Sequence, residues 1–419
     1  MKSFKTLVFF TLQYPYGKKS ETFIENEIQY LADAFERVII IPREKNDDEQ
    51  RTLPKNVKVN NLLIDSEPVG NHYKYIFSSL KRFMAVAKIY AYSLFKDKDR
   101  IHYFNSGYFI YYLAKALKDA RLIETHIEKE KLENAVFYDY WFVNSTLSLA
   151  YLKSKGSISY LYCRAHGFDV FNERWNCGSV PFRQYILKYI NTVFAISDYN
   201  KNYIVESINR HKDKVEVSYL GVRQVEDIIR ANTEHTIKKP FLIVSCANLF
   251  PFKQIERIPE VLSQVALDHQ TIKWVHFGDG PKETEVIQAA KQLPETICFE
   301  YKGHVANSEV LNFYTENEAD LFLSLSLKEG LPVSMMEAQS FGIPIMAYNI
   351  FGIPEIVTDK TGVLLNEGAS NAEIAKKISQ LLKQEILFDK FQIRQFFENR
   401  FSAVHNFSAF TQNLIQQNA

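Results

Sequence analysis

Short apolar runs alternate with longer amphipathic segments along the first half of the chain. A short apolar run between polar breaks is typical of a strand that is buried on both faces, as in a parallel sheet. The alternation therefore predicts α/β layers around a mainly parallel sheet. The predicted strands lie at residues 6–12, 37–42, 101–104, 135–139, 158–162 and 192–196, and the predicted helices at 21–34, 72–95, 107–119 and 144–155.

A second series of apolar runs begins after residue 222 and predicts a second α/β domain. Its strands are expected at 241–247, 272–277, 296–299, 321–325 and 343–347. The polar stretch 221–239 is the expected linker, and 419 residues are enough for two domains. We therefore divide the chain into an N-terminal domain (1–222), a C-terminal domain (223–390) and a helical segment (391–419) that is predicted to pack back on the N-terminal domain.

Charge and cysteine content argue against several classes of function. With 50 basic and 49 acidic side chains, the net charge of +1 gives no drive toward nucleic acid. The four cysteines form neither a metal-binding cluster nor a disulfide framework, so we expect no metal and no resident cofactor; Cys246 and Cys298 are expected to be buried. No apolar stretch is long enough to span a bilayer, which favours a cytoplasmic location.

Two glutamates follow the predicted strand 321–325, and this pattern carries the strongest chemical signal. The spacing predicts a glycine-containing turn with Glu329 and a helix that starts near Pro332 and bears Glu337. On one helix the two carboxylates would be about 12 Å apart, too far for a shared metal ion. Amide groups at the helix start would face an anion such as phosphate. The alternative interpretation is two solvated glutamates at a helix start.

Glu329, seven intervening residues and Glu337 match the glutamate pair of retaining GT-B glycosyltransferases of family four, which the chain resembles over residues 241–365. The resemblance implies two Rossmann-like domains that face an interdomain cleft. It implies transfer of a sugar from a UDP- or GDP-sugar to a hydroxyl of a saccharide or lipid-linked saccharide. The match extends to Phe277-Gly278-Asp279-Gly280-Pro281, Lys302-Gly303-His304-Val305 and Glu337-Ala338-Gln339-Ser340-Phe341-Gly342-Ile343-Pro344.

The resemblance also implies roles for individual residues. Glu329 would contact the transferred sugar, Glu337 the ribose hydroxyls, and Lys253 the departing diphosphate. Catalysis would need such a cation because the leaving nucleoside diphosphate gains negative charge. The remaining implied substrate contacts are Gly17, Asn248, Gly278, Gly303, His304, Val305, Gly330, Leu331, Pro332, Val333 and Ser334.

Asn248 departs from the family pattern, because relatives commonly carry an arginine on this loop. An asparagine donates hydrogen bonds but carries no charge. Three explanations remain open: Lys253 suffices, another cation such as Arg164 or Lys18 contributes, or catalysis is weaker.

The first half resembles the family more loosely. Its loop at 14–24 stands where many relatives have a glycine-rich loop that approaches the donor phosphate. In this chain the loop resembles that of family members from polysaccharide and exopolysaccharide biosynthesis. Ser20 is the predicted N-cap of the following helix. His166, in Arg164-Ala165-His166-Gly167-Phe168-Asp169, resembles the family's histidine near the transferred sugar, with Asp169 to orient it. A histidine after a strand is also often structural.

Residues 72–95 interleave aromatic and basic side chains. Such a segment is either an ordinary amphipathic helix or a peripheral contact with the inner face of a membrane. Rival functions are a non-catalytic partner subunit of a glycosyltransferase complex, and a sugar-nucleotide epimerase or phosphorylase on the same scaffold.

Overall fold

The computed structural model describes residues 5–17, 20–66, 68–97, 106–223 and 240–416. The chain forms two compact units, one made of Met1–Gly221 with Ala403–Ala419 and the other of Val222–Ser402. The chain therefore returns to the first unit at Ala403, whereas the sequence placed the last boundary at residue 390. The predicted strand at 101–104, Lys18 and most of the predicted linker lie outside the described residues.

The first unit is built on a seven-stranded sheet with the order β3-β2-β1-β4-β5-β6-β7, and every pair of neighbouring strands is parallel. The predicted parallel α/β layers are confirmed here. The short edge strands β3 and β7 were not predicted, since most of their side chains are partly exposed. The strands are β1 (Thr6–Thr11), β2 (Arg37–Pro42), β3 (Val57–Val59), β4 (Val136–Asp139), β5 (Tyr160–Ala165), β6 (Thr192–Ala195) and β7 (Val215–Val217).

Two predicted helices of this unit are interrupted. Residues 21–34 form a 3-10 helix, Thr22–Asn26, followed by an α-helix, and 72–95 divides into two α-helices at Ser78 and Ser79. Ser78 donates its hydroxyl to the carbonyl of Tyr75, a local bond that competes with continuation of the helix. The α-helices are α1 (Ile28–Ala34), α2 (His72–Phe77), α3 (Leu80–Lys96), α4 (Ser106–Glu130), α5 (Asn144–Lys155), α6 (Arg183–Tyr189) and α7 (Asp198–Ser207), with α14 (Ala403–Gln416) from the far end of the sequence.

Helix α14 contributes apolar side chains to the core of the first unit. Phe410 and Leu414 are buried in the same cluster as side chains of β1, β2 and β4. The ring of Phe410 lies 5.2 Å from that of Tyr138 and 5.1 Å from that of Phe194. The first unit therefore depends on residues that the sequence supplies only after the second unit.

A fully buried ion pair lies beside this core. Arg164 donates to Glu27 Oε1 at 3.2 Å, to the Tyr138 hydroxyl at 2.9 Å and to the Ser218 carbonyl at 3.0 Å. Its guanidinium carbon lies 4.2 Å from the centre of the Phe410 ring. The charge of Arg164 is thus compensated by Glu27 inside the first unit.

The second unit has a six-stranded sheet with the order β10-β9-β8-β11-β12-β13, again parallel in every pair. Cys298 lies on the edge strand β10 and is exposed, so the expectation that it is buried was wrong. The strands are β8 (Phe241–Cys246), β9 (Ile272–Phe277), β10 (Ile297–Gly303), β11 (Leu321–Ser324), β12 (Ile345–Tyr348) and β13 (Gly362–Leu365). The α-helices are α8 (Ile258–Leu262), α9 (Glu283–Ala290), α10 (Asn307–Glu316), α11 (Val333–Ser340), α12 (Asn371–Leu382) and α13 (Lys390–Phe401).

We predict that Phe410→Ala lowers the free energy of unfolding of the first unit by about 3–5 kcal/mol, because it removes a buried ring and leaves a cavity. Urea unfolding followed by tryptophan fluorescence measures this change. Val404→Ala on the same helix is the matched control, since Val404 is 65% exposed and should change stability by less than about 0.5 kcal/mol. Equal stability of the two variants would contradict the role of α14 in this core.

Candidate functional site

Three loops of the second unit meet at the carboxyl ends of β8, β9 and β10. The N–H of Leu249 donates to the carbonyl of Asp279 at 2.9 Å, and the N–H of Gly278 donates to the carbonyl of Gly303 at 2.8 Å. These bonds hold the exposed Asn248 between a buried strand and a glycine turn. The loops thus bring three predicted site residues, Asn248, Gly278 and Gly303, to one edge of the sheet.

Gly278 is required by the close approach of two of these loops. Its φ is +126°, and a Cβ atom at this position would lie 2.0 Å from the carbonyl oxygen of Ala247. No side chain fits at that distance, and L residues avoid this backbone conformation. The turn that the sequence identified therefore has a geometric reason for its glycine.

Lys253 and Glu329 form an ion pair at the same edge of the sheet. Lys253 ends the 3-10 helix Pro251–Lys253, and its Nζ lies 2.5 Å from Glu329 Oε1. Both side chains are mostly buried, with 18% and 11% of their surface exposed. The N–H of Leu327 also donates to the carbonyl of Phe252 at 2.8 Å, so the loops after β8 and β11 are tied together by backbone and by charge.

Helix α11 begins directly after the Glu329 loop. Pro332 is the residue before the helix, with an extended ψ of 116°, and Val333 is the first helical residue, one position later than predicted. The first N–H groups of an α-helix have no partner within the helix, and they carry partial positive charge. Val333 and Ser334 are partly exposed at this end, while Gly330 and Leu331 shape the turn that precedes it.

Glu337 is buried on α11, one turn into the helix. Burial raises the pKa of its carboxyl from 4.5 to about 7, while the hydrogen bond from Asn307 acts in the opposite direction. Asn307 Nδ2 donates to Glu337 Oε1 at 2.8 Å. Glu337 is therefore an acceptor whose charge changes near neutral pH.

Asn307 is a site residue that the sequence analysis missed. It starts α10, and its bond to Glu337 links the segment after β10 to α11. The predicted contacts His304 and Val305 lie in that segment, where His304 is exposed and Val305 is partly buried. No spacing rule reveals a pair of residues that are 30 positions apart on different helices.

His166 lies in the first unit, directly after β5. Its side chain is 10% exposed, and the centre of its ring lies 4.7 Å from that of Tyr140 and 4.5 Å from that of Trp141. Asp169 accepts from the backbone N–H of His166 at 2.8 Å, but its Oδ2 lies 3.8 Å from Nδ1 of the ring. Both ring nitrogens are buried without a hydrogen bond.

Asp169 is held as an anion next to His166. Burial alone would raise the pKa of its carboxyl, but the nearby His166 side chain and the backbone N–H groups of Phe142 and His166 lower it below its ordinary value. Asp169 therefore fixes the backbone of the histidine. The predicted orientation of the ring by Asp169 is not seen as a hydrogen bond.

The loop after β1 differs from expectation. Gly17 has a φ of +73°, and its N–H donates at 3.0 Å to the carbonyl of Glu49 in the segment that follows β2, so this amide is already engaged. Ser20 is not the N-cap, because the 3-10 helix is preceded by Glu21 in the left-handed conformation, with a φ of +51°. The contact of Gly17 with substrate stays a prediction.

In the described part of the chain, no three His, Cys, Asp or Glu side chains are grouped so that they could hold a metal ion. None of the described helices combines the length and apolar character needed to cross a bilayer.

Comparison with known proteins adds family relationships to this geometry. Residues 227–395 match the family described as glycosyl transferases group 1. Over 232 residues the chain is 27% identical to a protein named as the colanic acid biosynthesis glycosyltransferase WcaL of Salmonella typhimurium, covering 53% of this chain and 54% of that protein. Over 139 residues it is 29% identical to N-acetyl-alpha-D-glucosaminyl L-malate synthase of Bacillus anthracis, covering 32% and 35%. The chain spans about half the length of the curated relatives that it matches first.

Solved structures resemble the chain over nearly its whole length. The lipopolysaccharide outer core galactosyltransferase WaaB, in its apo form, aligns with a TM-score of 0.68 at 16% identity and covers 99% of this chain and 100% of its own. HepE of Anabaena in complex with UDP-glucose aligns with a TM-score of 0.59 at 14% identity and covers 98% and 99%. The predicted GT-B fold class is confirmed by these likenesses.

We predict that Glu337→Gln changes how the stability of the second unit depends on pH. Between pH 4.5 and about 7 the folded protein holds a proton on Glu337 that the unfolded chain releases, so the free energy of unfolding falls as pH rises through this window. Glutamine does not titrate, so the variant does not lose stability in this way. At pH 8 its free energy of unfolding should exceed that of wild type by up to about 3 kcal/mol, whereas at pH 4.5 the two should differ little.

Urea unfolding at several pH values measures the difference between the two proteins. Glu367→Gln, which removes an exposed carboxylate from the same unit, is the matched control and should follow wild type. A constant difference between Glu337→Gln and wild type across the range would contradict the raised pKa.

Proposed function

We propose that the chain moves a sugar from a nucleotide sugar to a hydroxyl of a saccharide or lipid-linked saccharide, with retained anomeric configuration, because residues 227–395 match the family described as glycosyl transferases group 1. The observation that carries the proposal is the contact between Lys253 and Glu329 beside the start of α11. A role in cell-surface polysaccharide synthesis is supported by the names of the relatives WcaL and WaaB.

The donor diphosphate is proposed to bind at the start of α11. Its negative charge would be met by the free N–H groups of the first helical turn and by the ammonium of Lys253. When the sugar leaves, the nucleoside diphosphate gains charge, and a fixed cation nearby lowers the energy of that transition state. Lys253 is already held in place by Glu329, so little reorganisation is needed when the donor binds.

Glu329 is proposed to act on the sugar itself. Its carboxylate accepts a hydrogen bond from Lys253 through Oε1, which leaves further lone pairs for sugar hydroxyls. A negative charge near the anomeric carbon also stabilises positive charge that develops there as the bond to phosphate lengthens. In this proposal Lys253 stabilises the departing diphosphate, and Glu329 stabilises the sugar on the other side of the bond that breaks.

The nucleoside is proposed to bind near Glu337 and the loops after β9 and β10. A carboxylate or carboxyl group that is buried and held by Asn307 suits the paired hydroxyls of a ribose. UDP- and GDP-sugars are the proposed donors, and UDP-sugars are the first choice because HepE binds UDP-glucose in its solved complex. For His166 we propose contact with a saccharide hydroxyl through one of its two ring nitrogens.

A non-catalytic partner subunit is the second candidate, and the uncharged, exposed Asn248 favours it. Such a subunit would bind a donor without turning it over and would show activity only when a partner is added. An epimerase or phosphorylase on this scaffold would instead act on the donor without any acceptor alcohol.

We predict that Lys253→Ala and Glu329→Ala each lower kcat by at least about 100-fold, since each removes a charge that acts in the transition state. The measurement is release of nucleoside diphosphate from a panel of UDP- and GDP-sugars, with and without a saccharide acceptor. Lys328→Ala, an exposed neighbour of Glu329, is the control and should stay within about twofold of wild type.

If wild type binds a donor but releases nothing, the partner-subunit hypothesis replaces the catalytic one. If release is the same in all four proteins, the donor site lies elsewhere. Release that requires no acceptor and yields a rearranged sugar would favour the epimerase.

We further propose that α2 and α3 contact the anionic inner face of a membrane. Phe77 and Leu80 are 67% and 72% exposed, and Phe83 and Met84 continue the apolar surface along α3. Residues 72–96 carry five basic side chains and no acidic one. Exposed apolar groups beside basic groups suit the boundary between headgroups and acyl chains, where a lipid-linked acceptor would be presented.

We predict that the protein sediments with vesicles of phosphatidylcholine and phosphatidylglycerol in equal parts, and that Leu80→Ser weakens this binding by about fivefold or more. Leu387→Ser is the matched control, because Leu387 is 74% exposed in the second unit. Binding should weaken with salt and on pure phosphatidylcholine. Equal binding of both variants to both kinds of vesicle would contradict the proposal.

A further inference from the structure

The carboxylate of Glu21 is buried at the end of β1, where it binds four N–H groups. Oε1 accepts from the backbone of Leu12 at 3.0 Å, and Oε2 accepts from the backbone of Gln13 at 2.6 Å and of Tyr14 at 2.7 Å. The fourth donor is the indole Nε1 of Trp141, 2.6 Å from Oε1. Three successive backbone N–H groups that converge on one anion form a typical anion-binding nest.

Glu21 is held in an unusual conformation to make these contacts. Its φ of +51° is left-handed, which is unfavourable for a residue with a side chain. Each carboxylate oxygen accepts two hydrogen bonds, so the side chain is fully used within the first unit. The amides of residues 12–14 thus carry an internal anion and are not free to bind a phosphate.

Trp141 connects this carboxylate to His166. Its indole is fixed at one end by Glu21, and the centre of its ring lies 4.5 Å from that of His166. Phe23, two residues after Glu21, also lies against the histidine, with ring centres 5.9 Å apart. Trp141 and Phe23, two of the three aromatic side chains described against His166, are therefore positioned by Glu21 or by the segment that contains it, and Tyr140 is the third.

The ring of His166 depends on these walls for its orientation. Its backbone is held by Asp169 and by the side chain of Asn200, which donates to the His166 carbonyl. Neither ring nitrogen makes a hydrogen bond, and the nearest carboxylate oxygen is 3.8 Å from Nδ1. Aromatic packing is what remains to fix the direction in which the ring nitrogens point.

We infer that Glu21 is the positioning residue of the His166 pocket and acts through Trp141. The inference rests on the proposed function in one respect, namely that His166 contacts a saccharide hydroxyl. Glu21 itself touches no substrate. Its carboxylate accepts a hydrogen bond from the Trp141 indole, and the indole packs against the His166 ring. This packing fixes the direction in which the ring nitrogens of His166 point.

A double-mutant cycle tests the inference, with Glu21→Gln as the first variant. Glutamine keeps the shape of the side chain, but its NH₂ group replaces one oxygen and faces N–H donors that need an acceptor. In the wild-type background we expect kcat to fall about tenfold while KM for the donor changes by less than about twofold. In a His166→Ala background we expect Glu21→Gln to change kcat by less than about twofold.

A purely structural role for Glu21 predicts a different result. The two substitutions would then lower kcat independently, and Glu21→Gln would have the same effect in both backgrounds. Glu25→Gln, on the 3-10 helix that follows Glu21, is the matched control, since Glu25 is exposed and pairs with Arg51; it should leave kcat unchanged in both backgrounds. If Glu21→Gln fails to fold, Trp141→Phe takes its place, because it keeps an aromatic side chain beside His166 and removes the N–H group that Glu21 accepts.

Nuclear magnetic resonance provides a readout that needs no enzymatic activity. The ring proton of His166, assigned by its loss in His166→Ala, should shift in Glu21→Gln because the ring current of Trp141 moves with the indole. An unchanged resonance in Glu21→Gln overturns the inference. If wild type proves inactive on every donor, the proposed function fails while this resonance still decides the role of Glu21.

Discussion

Every pair of neighbouring strands in the two described sheets is parallel, and the placement of the candidate site residues follows from that constraint. Parallel strands return through a crossover, so the loops that follow them gather at one edge of the sheet. In the second unit this edge carries Asn248, Gly278 and Glu329. In the first unit it carries Trp141 and His166, which follow β4 and β5.

Charged groups are used in two different ways in these units. The pair of Arg164 and Glu27 is fully buried and surrounded by core side chains, so removal of either partner would leave an uncompensated charge in the interior. The pair of Lys253 and Glu329 keeps some exposure and lies beside unpaired helix amides. A charged ligand could reach the second pair without opening a core, which is the physical difference between the two ion pairs.

The sequence predicted the fold class well because central parallel strands are continuous apolar runs with a clear signal. It missed the edge strands β3, β7 and β13, which are only three or four residues long. It also wrongly predicted a buried Cys298, because an edge strand leaves one of its sides exposed. The glutamate motif and the glycine turn were visible because each lies within one loop. The order of strands was not visible, since crossover connections leave no local pattern.

Contacts between distant loops could not be predicted from spacing. The bond from Asn307 to Glu337 and the bond from Trp141 to Glu21 join residues that are 30 and 120 positions apart. Glu21 was predicted to lie at a helix start because Ser20 has the chemistry of a cap, whereas in the structure its carboxylate accepts from backbone amides of the loop that follows β1. The role of such a residue emerges only when the sheet has brought both loops together.

The return of the chain to the first unit at Ala403 has a consequence for synthesis on the ribosome. The core around Tyr138 remains open until Phe410 and Leu414 have been made, whereas Val222–Ser402 is contiguous and can close earlier. The unit that begins first is therefore completed last, and its apolar surface stays uncovered while the other unit is translated. A premature stop codon shortly before position 410 would leave the contiguous unit with a complete core. The amino-terminal unit would lack Phe410 and Leu414 and would be expected to bind chaperones or be degraded.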